Sequence, residues 1–131
     1  MAIDYAARAR SLVGVRFRAQ GRGEGGLDCI GLVTNTFGIS SESVRRDYRI
    51  RGSGNLEALR TALNEHFRRV ARTEVRTGDV MLLAAGENQP HLAVRTDAGF
   101  VHAHAGIRRV VETPGYPEWP LLAVYRKRRR G

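Results

Sequence analysis

The sequence predicts one α+β domain in which helices come first and an antiparallel β-sheet follows. Three observations lead there. Apolar residues recur at helical spacing through the first half of the chain, the pattern changes after Thr77-Gly78-Asp79 to short apolar runs separated by turn residues, and 131 residues suit one modest core. A single domain over residues 1–131 is therefore expected, with a basic tail at 126–131.

The first helix is expected within residues 2–12, where Ile3, Ala6, Ala7 and Leu12 fall near helical spacing and Gly14 offers a stop. The run Gln20-Gly21-Arg22-Gly23-Glu24-Gly25-Gly26 holds four glycines without the strand-to-helix context of a dinucleotide site, so it reads as a mobile rim. Asp28 is a natural N-cap for a second helix running through Phe37, which puts Cys29 in its first turn. Gly38 to Gly54 reads as an irregular connection. Leu56, Leu59, Leu63, Phe67 and Val70 then mark an amphipathic helix, with His66 on its surface.

Strands are expected at Val80–Leu83, Leu92–Val94, Phe100–Ala105, Val110–Val111 and Leu121–Tyr125. The turns between them fall at Gly86-Glu87-Asn88, Asp97-Ala98-Gly99 and Pro114-Gly115, all residue types that favour tight reversals.

Composition narrows the function. The 22 Lys+Arg against 13 Asp+Glu give +9, nearly all from arginine, which implies an anionic partner without choosing among nucleic acid, bacterial wall and acidic protein. The run Arg126-Lys127-Arg128-Arg129-Arg130 reads as a solvated tail, and no aromatic residues interleave it to stack on bases, so nucleic acid is not the expected partner. No stretch approaches the roughly 20 apolar residues of a membrane span, and the apolar run at Leu12-Val13 lacks the features of a secretory signal. The single cysteine forbids an internal disulfide and leaves one thiol, either inert core or reactive nucleophile.

A helix start and a neighbouring imidazolium both stabilise thiolate. Cys29 has the first by position. His91 offers the second, since Pro90 fixes the chain before it and Leu92, Ala93 and Val94 anchor the strand after it. The group that orients His91 is His102 or His104, which share one strand face with Phe100; spacing does not decide between them. The Cys29 backbone N–H is the simplest oxyanion donor. A rival arrangement has His91, His102, His104 and Cys29 ligating zinc.

The string Gly26-Leu27-Asp28-Cys29-Ile30-Gly31-Leu32-Val33 resembles the nucleophile signature of NlpC-type peptidases, papain-like cysteine peptidases of the cell wall. Thr77-Gly78-Asp79-Val80-Met81-Leu82, His91-Leu92-Ala93-Val94 and Phe100-Val101-His102-Ala103 follow in that family's order. Residues 14–22 and the stretch from Val110 through Trp119 are similar to the short peptidases of phage tail and gene-transfer-agent tail modules. The resemblance implies a papain-like α+β fold and a Cys29–His91–His102 hydrolase of peptidoglycan stem peptides, with no cofactor and no metal. It also implies tail tip or hub proteins as partners, and assembly into a virion or phage-like particle in the host cytoplasm, with no membrane step. Asp28 is assigned to capping, and His104 remains the alternative third residue. Two positions depart from the pattern: Ile30 stands where serine is commonest, and Phe17 stands where many relatives carry a tyrosine whose hydroxyl assists at the oxyanion. A tail-tip component that keeps the fold with weak or no activity is the competing reading.

Overall fold

A computed structural model describes residues 3–18, 22–23, 26–40, 55–86 and 89–128. Much of the glycine-rich run, the connection expected from residue 41 to 54, residues Glu87 and Asn88 of the expected turn, and residues 129–131 lie outside the described residues.

Helix α1 spans Tyr5–Arg10, with the Asp4 side chain accepting from the Ala7 N–H. It is shorter than residues 2–12 suggested, because the chain leaves the helix at Ser11 and turns through Gly14, whose φ of 95° suits glycine. Two short strands, β1 (Arg22–Gly23) and β2 (Gly26–Leu27), pair with each other ahead of helix α2 (Cys29–Phe37). Asp28 caps α2 as expected, Oδ1 accepting from the Gly31 N–H at 2.7 Å, and Gly38 closes it in the left-handed conformation.

Helix α3 runs Asn55–His66 and passes directly into strand β3, Phe67–Val70. The helix expected to continue through Val70 thus stops at His66. Phe67 is buried in the core while Arg68 and Arg69 are exposed, and pairing with the last strand captures this segment as a sheet edge. Strands β4 (Val80–Gly86), β5 (Gln89–Arg95), β6 (Gly99–His104), β7 (Arg109–Pro114) and β8 (Leu121–Lys127) complete a six-stranded antiparallel sheet in the order β3-β8-β4-β5-β6-β7.

The register gives the sheet two different faces. The pairs Val80↔Val94, Val94↔Val101, Ala103↔Val110 and Leu82↔Ala123 put these side chains on the face covered by α1, α2 and α3. There they meet Ile30, Leu32, Val33, Phe37, Leu59 and Leu63, each worth about 1.5–3 kcal/mol of buried apolar surface. Met81, Leu83, Ala93 and Phe100 form a smaller cluster on the opposite face, packed against Val75, Trp119 and Leu121.

The basic run does not begin as a free tail. Arg126 and Lys127 belong to β8, and Arg126 makes a two-pronged ion pair with buried Asp79, Nε at 2.9 Å and a terminal nitrogen at 2.8 Å. Arg128 donates to the carbonyls of Phe67 and Asn64. A guanidinium carries enough fixed donors to tie one strand end to several neighbours, and Arg126 and Arg128 are used in that way.

Candidate active site

Cys29 is the first residue of α2 and is 2 % exposed. It belongs to the helix-side core together with Leu92 and Ala103, the chain neighbours of His91 and His102, and α2 packs against both β5 and β6. Gly26, at φ 131°, lies close against the segment that carries Phe17: a Cβ there would lie 2.8 Å from the Arg16 carbonyl oxygen and from the Arg18 Cβ. Phe17 itself is half-buried against the main core, its N–H bonded to the Arg108 carbonyl. Its ring brings no hydroxyl to the site.

The two histidines meet directly. His91 Nε2 and His102 Nδ1 are 2.9 Å apart, and the rings cross almost at right angles. His102 continues the chain through Nε2, 3.2 Å from the Thr113 hydroxyl. Of the two histidines that sequence spacing left open, His102 takes the contact with His91; the His104 Nδ1 accepts instead from the Ile107 N–H in the turn that follows β6. Trp119 stands edge-on to both His91 and His102 and walls the pair from outside.

The histidine rings share the face of Phe100 and Trp119, opposite the face on which Leu92 and Ala103 point toward α2. The β5–β6 ladder covers Val94↔Val101 and Arg95↔Phe100 and stops before His91 and His102, so the two strands have parted where the histidines sit.

Burial controls the charge of these rings. It lowers the pKa of His91 to about 3, with the charges of His102 and His104 acting in the same direction. His102 is lowered to about 4, first by burial and then by His104. Both rings are therefore neutral near pH 7, and the resting imidazolium expected from the sequence is not what this pocket favours. With neutral rings the hydrogen bonds have two consistent directions. Either His91 Nε2–H donates to His102 Nδ1 and His102 Nε2–H to Thr113, leaving His91 Nδ1 a bare base, or every proton points the other way.

Thr113 and Trp119 were not singled out for this site by sequence reasoning. Thr113 had a usable signal: it lies two residues beyond Val111, on the same strand face, once the strand expected at Val110–Val111 is extended to Pro114. Among the described residues no group of three or more His, Cys, Asp or Glu side chains is placed to hold a metal ion, which leaves the zinc arrangement without a cage. No helix among them is long and apolar enough to cross a membrane.

No protein-family model matches the chain. The chain is 30% identical over 109 residues to the murein DD-endopeptidase MepS/murein LD-carboxypeptidase of Escherichia coli strain K12; the match covers 81% of this chain and 51% of that protein. The same protein from Escherichia coli O157:H7 matches equally. This chain thus spans about half the length of the curated relatives it matches. Among solved structures, NlpC1 from Trichomonas vaginalis superposes with a TM-score of 0.66 at 15% identity, over 94% of this chain and 42% of that one. The NlpC/p60 domain of the peptidoglycan hydrolase SagA gives 0.59 at 14% identity, over 85% and 86%. The peptidoglycan hydrolase RipB from Mycobacterium tuberculosis gives 0.56 at 22% identity, over 94% and 62%.

Proposed function

The chain has the fold of an NlpC/p60 domain, and on that premise we propose that it is a cysteine peptidase of that family, cutting amide bonds in the stem peptides of bacterial peptidoglycan. The observation that carries this reading is the hydrogen-bonded His91–His102 pair, set where β5 and β6 part beside the helix that begins with Cys29. The similarity to a murein endopeptidase over most of the chain supports the choice of substrate.

In this mechanism the Cys29 thiol, at the start of the helix packed on β5 and β6, gives its proton to His91 Nδ1, the ring nitrogen that His102 does not occupy. Sulfur bonds to the peptide carbonyl carbon, and the oxyanion is met by the Cys29 backbone N–H at the positive end of α2. Asp28 holds that helix start in shape by taking the Gly31 N–H. The C–N bond breaks as His91 returns the proton to the leaving amine, and water, deprotonated by the same ring, then hydrolyses the thioester. His102 keeps His91 in the productive orientation throughout.

The place of action belongs to the same proposal: a phage-type tail tip, with tail or hub proteins as neighbours, assembled in the host cytoplasm. Its support is the likeness of residues 14–22 and of Val110 through Trp119 to tail-module peptidases. A catalytically weak tail component draws on one specific observation, a thiol only 2 % exposed, together with a phenylalanine at position 17 that has no hydroxyl to donate.

Digestion of purified sacculi, with released fragments identified by mass, tests the main reading. Wild-type protein releases cleaved stem peptides, and Cys29→Ala, folded as judged by circular dichroism, releases none. Equal release by the variant, or none by the wild type, removes the peptidase reading.

A further inference from the structure

We propose that Thr113 is a positioning residue that sets the tautomer of His102 and, through it, makes His91 a base; this rests on the peptidase reading above. When His91 accepts the thiol proton it becomes an imidazolium with N–H on both nitrogens, so its partner at Nε2 has to be an acceptor. That partner is His102 Nδ1 at 2.9 Å. His102 then carries its own proton on Nε2, and that N–H needs an acceptor in turn. Thr113 Oγ1, 3.2 Å away, is the group placed to accept it.

With the protons reversed, the threonine hydroxyl donates to His102 Nε2, His102 Nδ1–H donates to His91 Nε2, and His91 carries its proton on Nδ1, where it cannot take another. Of the two arrangements, only the one in which the Thr113 hydroxyl accepts from His102 Nε2–H tolerates the charged intermediate. Backbone packing holds Thr113 in place. It pairs with Phe100 across the β6–β7 ladder, and Gly99 allows a close approach that any side chain would block, since a Cβ there would lie 1.8 Å from the Thr113 carbonyl oxygen.

The test compares Thr113→Val, which keeps the shape and removes the hydroxyl, with Thr113→Ser, which restores it. Thr113→Val is expected to lower kcat about tenfold, the size of one lost neutral hydrogen bond, at unchanged KM, and Thr113→Ser to recover most of the loss. The second arm needs no activity: nitrogen NMR of the folded wild type is expected to show His102 with a pyrrole-type Nε2 and a pyridine-type Nδ1, and Thr113→Val to shift that balance. A wild-type His102 protonated on Nδ1 overturns the proposal, as does Thr113→Val with unchanged kcat or with a loss that merely tracks its folded fraction. If the wild type shows no Cys29-dependent cleavage, the peptidase reading fails by itself, and the NMR arm still decides whether Thr113 governs His102.

Discussion

Acid should weaken this fold through His91 in a way that one substitution removes. The ring is held neutral, its pKa lowered from 6.5 to about 3 by burial and by the neighbouring histidines. Because the folded-state value lies below the unfolded one, the unfolded chain binds the proton first. The stability is fully present above pH 6.5 and is lost as pH falls toward 3. At pH 5 preferential protonation of the unfolded chain amounts to about 2 kcal/mol, and at pH 4 it grows to about 3 kcal/mol. His91→Gln keeps a side-chain N–H for His102 and has nothing to titrate. Urea unfolding of both proteins at pH 7 and pH 5, followed by far-ultraviolet circular dichroism, isolates the term, since the carboxylates contribute alike to each. The wild type should lose about 2 kcal/mol more than the variant over that interval. Equal losses would show that His91 is not buried as a neutral ring, and the general-base role argued for it would lose its ground.

Two stability predictions follow from backbone and ion-pair geometry. Asp79→Ala leaves the Arg126 guanidinium and the Arg76 N–H without their carboxylate at a 2 % exposed site, and should cost about 3 kcal/mol, or about 10 °C in Tm for a chain of this length, by calorimetry; a shift under about 3 °C would mean the pair is not the clamp it resembles. Gly99→Ala forces a Cβ onto the Thr113 carbonyl and should destabilise by about 2 kcal/mol or more in urea, with peptidase activity falling further than the folded fraction does; an unchanged midpoint would contradict the close packing of β6 on β7.

Where the sequence was legible, a local rule and the tertiary structure agreed. Asp28 before an apolar run marked the α2 start because capping is decided within one turn. The strands from Val80 onward were visible because each holds an apolar face of period two. The break at His66 was not, since Leu56, Leu59 and Leu63 have helical spacing and Phe67 and Val70 continue it; the switch to β3 comes from pairing with β8, some 55 residues away in the chain. The same long-range origin hid the use of Arg126 and Arg128. A charge run carries no sign of the buried carboxylate or the free carbonyls it will meet. At the site, sequence spacing left His102 and His104 equivalent, and the parting of β5 from β6 together with the turn after His104 separates them.

That separation bears on how the proposed chemistry is timed. A resting thiolate–imidazolium pair requires the histidine to hold its proton more tightly than the thiol does. A ring whose pKa burial lowers to about 3 does not hold a proton at rest near pH 7. Proton transfer then belongs to the step in which sulfur attacks the carbonyl, when the developing oxyanion compensates the charge placed on His91. Such a step makes the direction of the hydrogen-bond chain more important than the resting charge of the thiol. In the proposed mechanism that direction depends on His102 and Thr113, on strands held together through Gly99, which ties the register of β6 against β7 to the proposed chemistry.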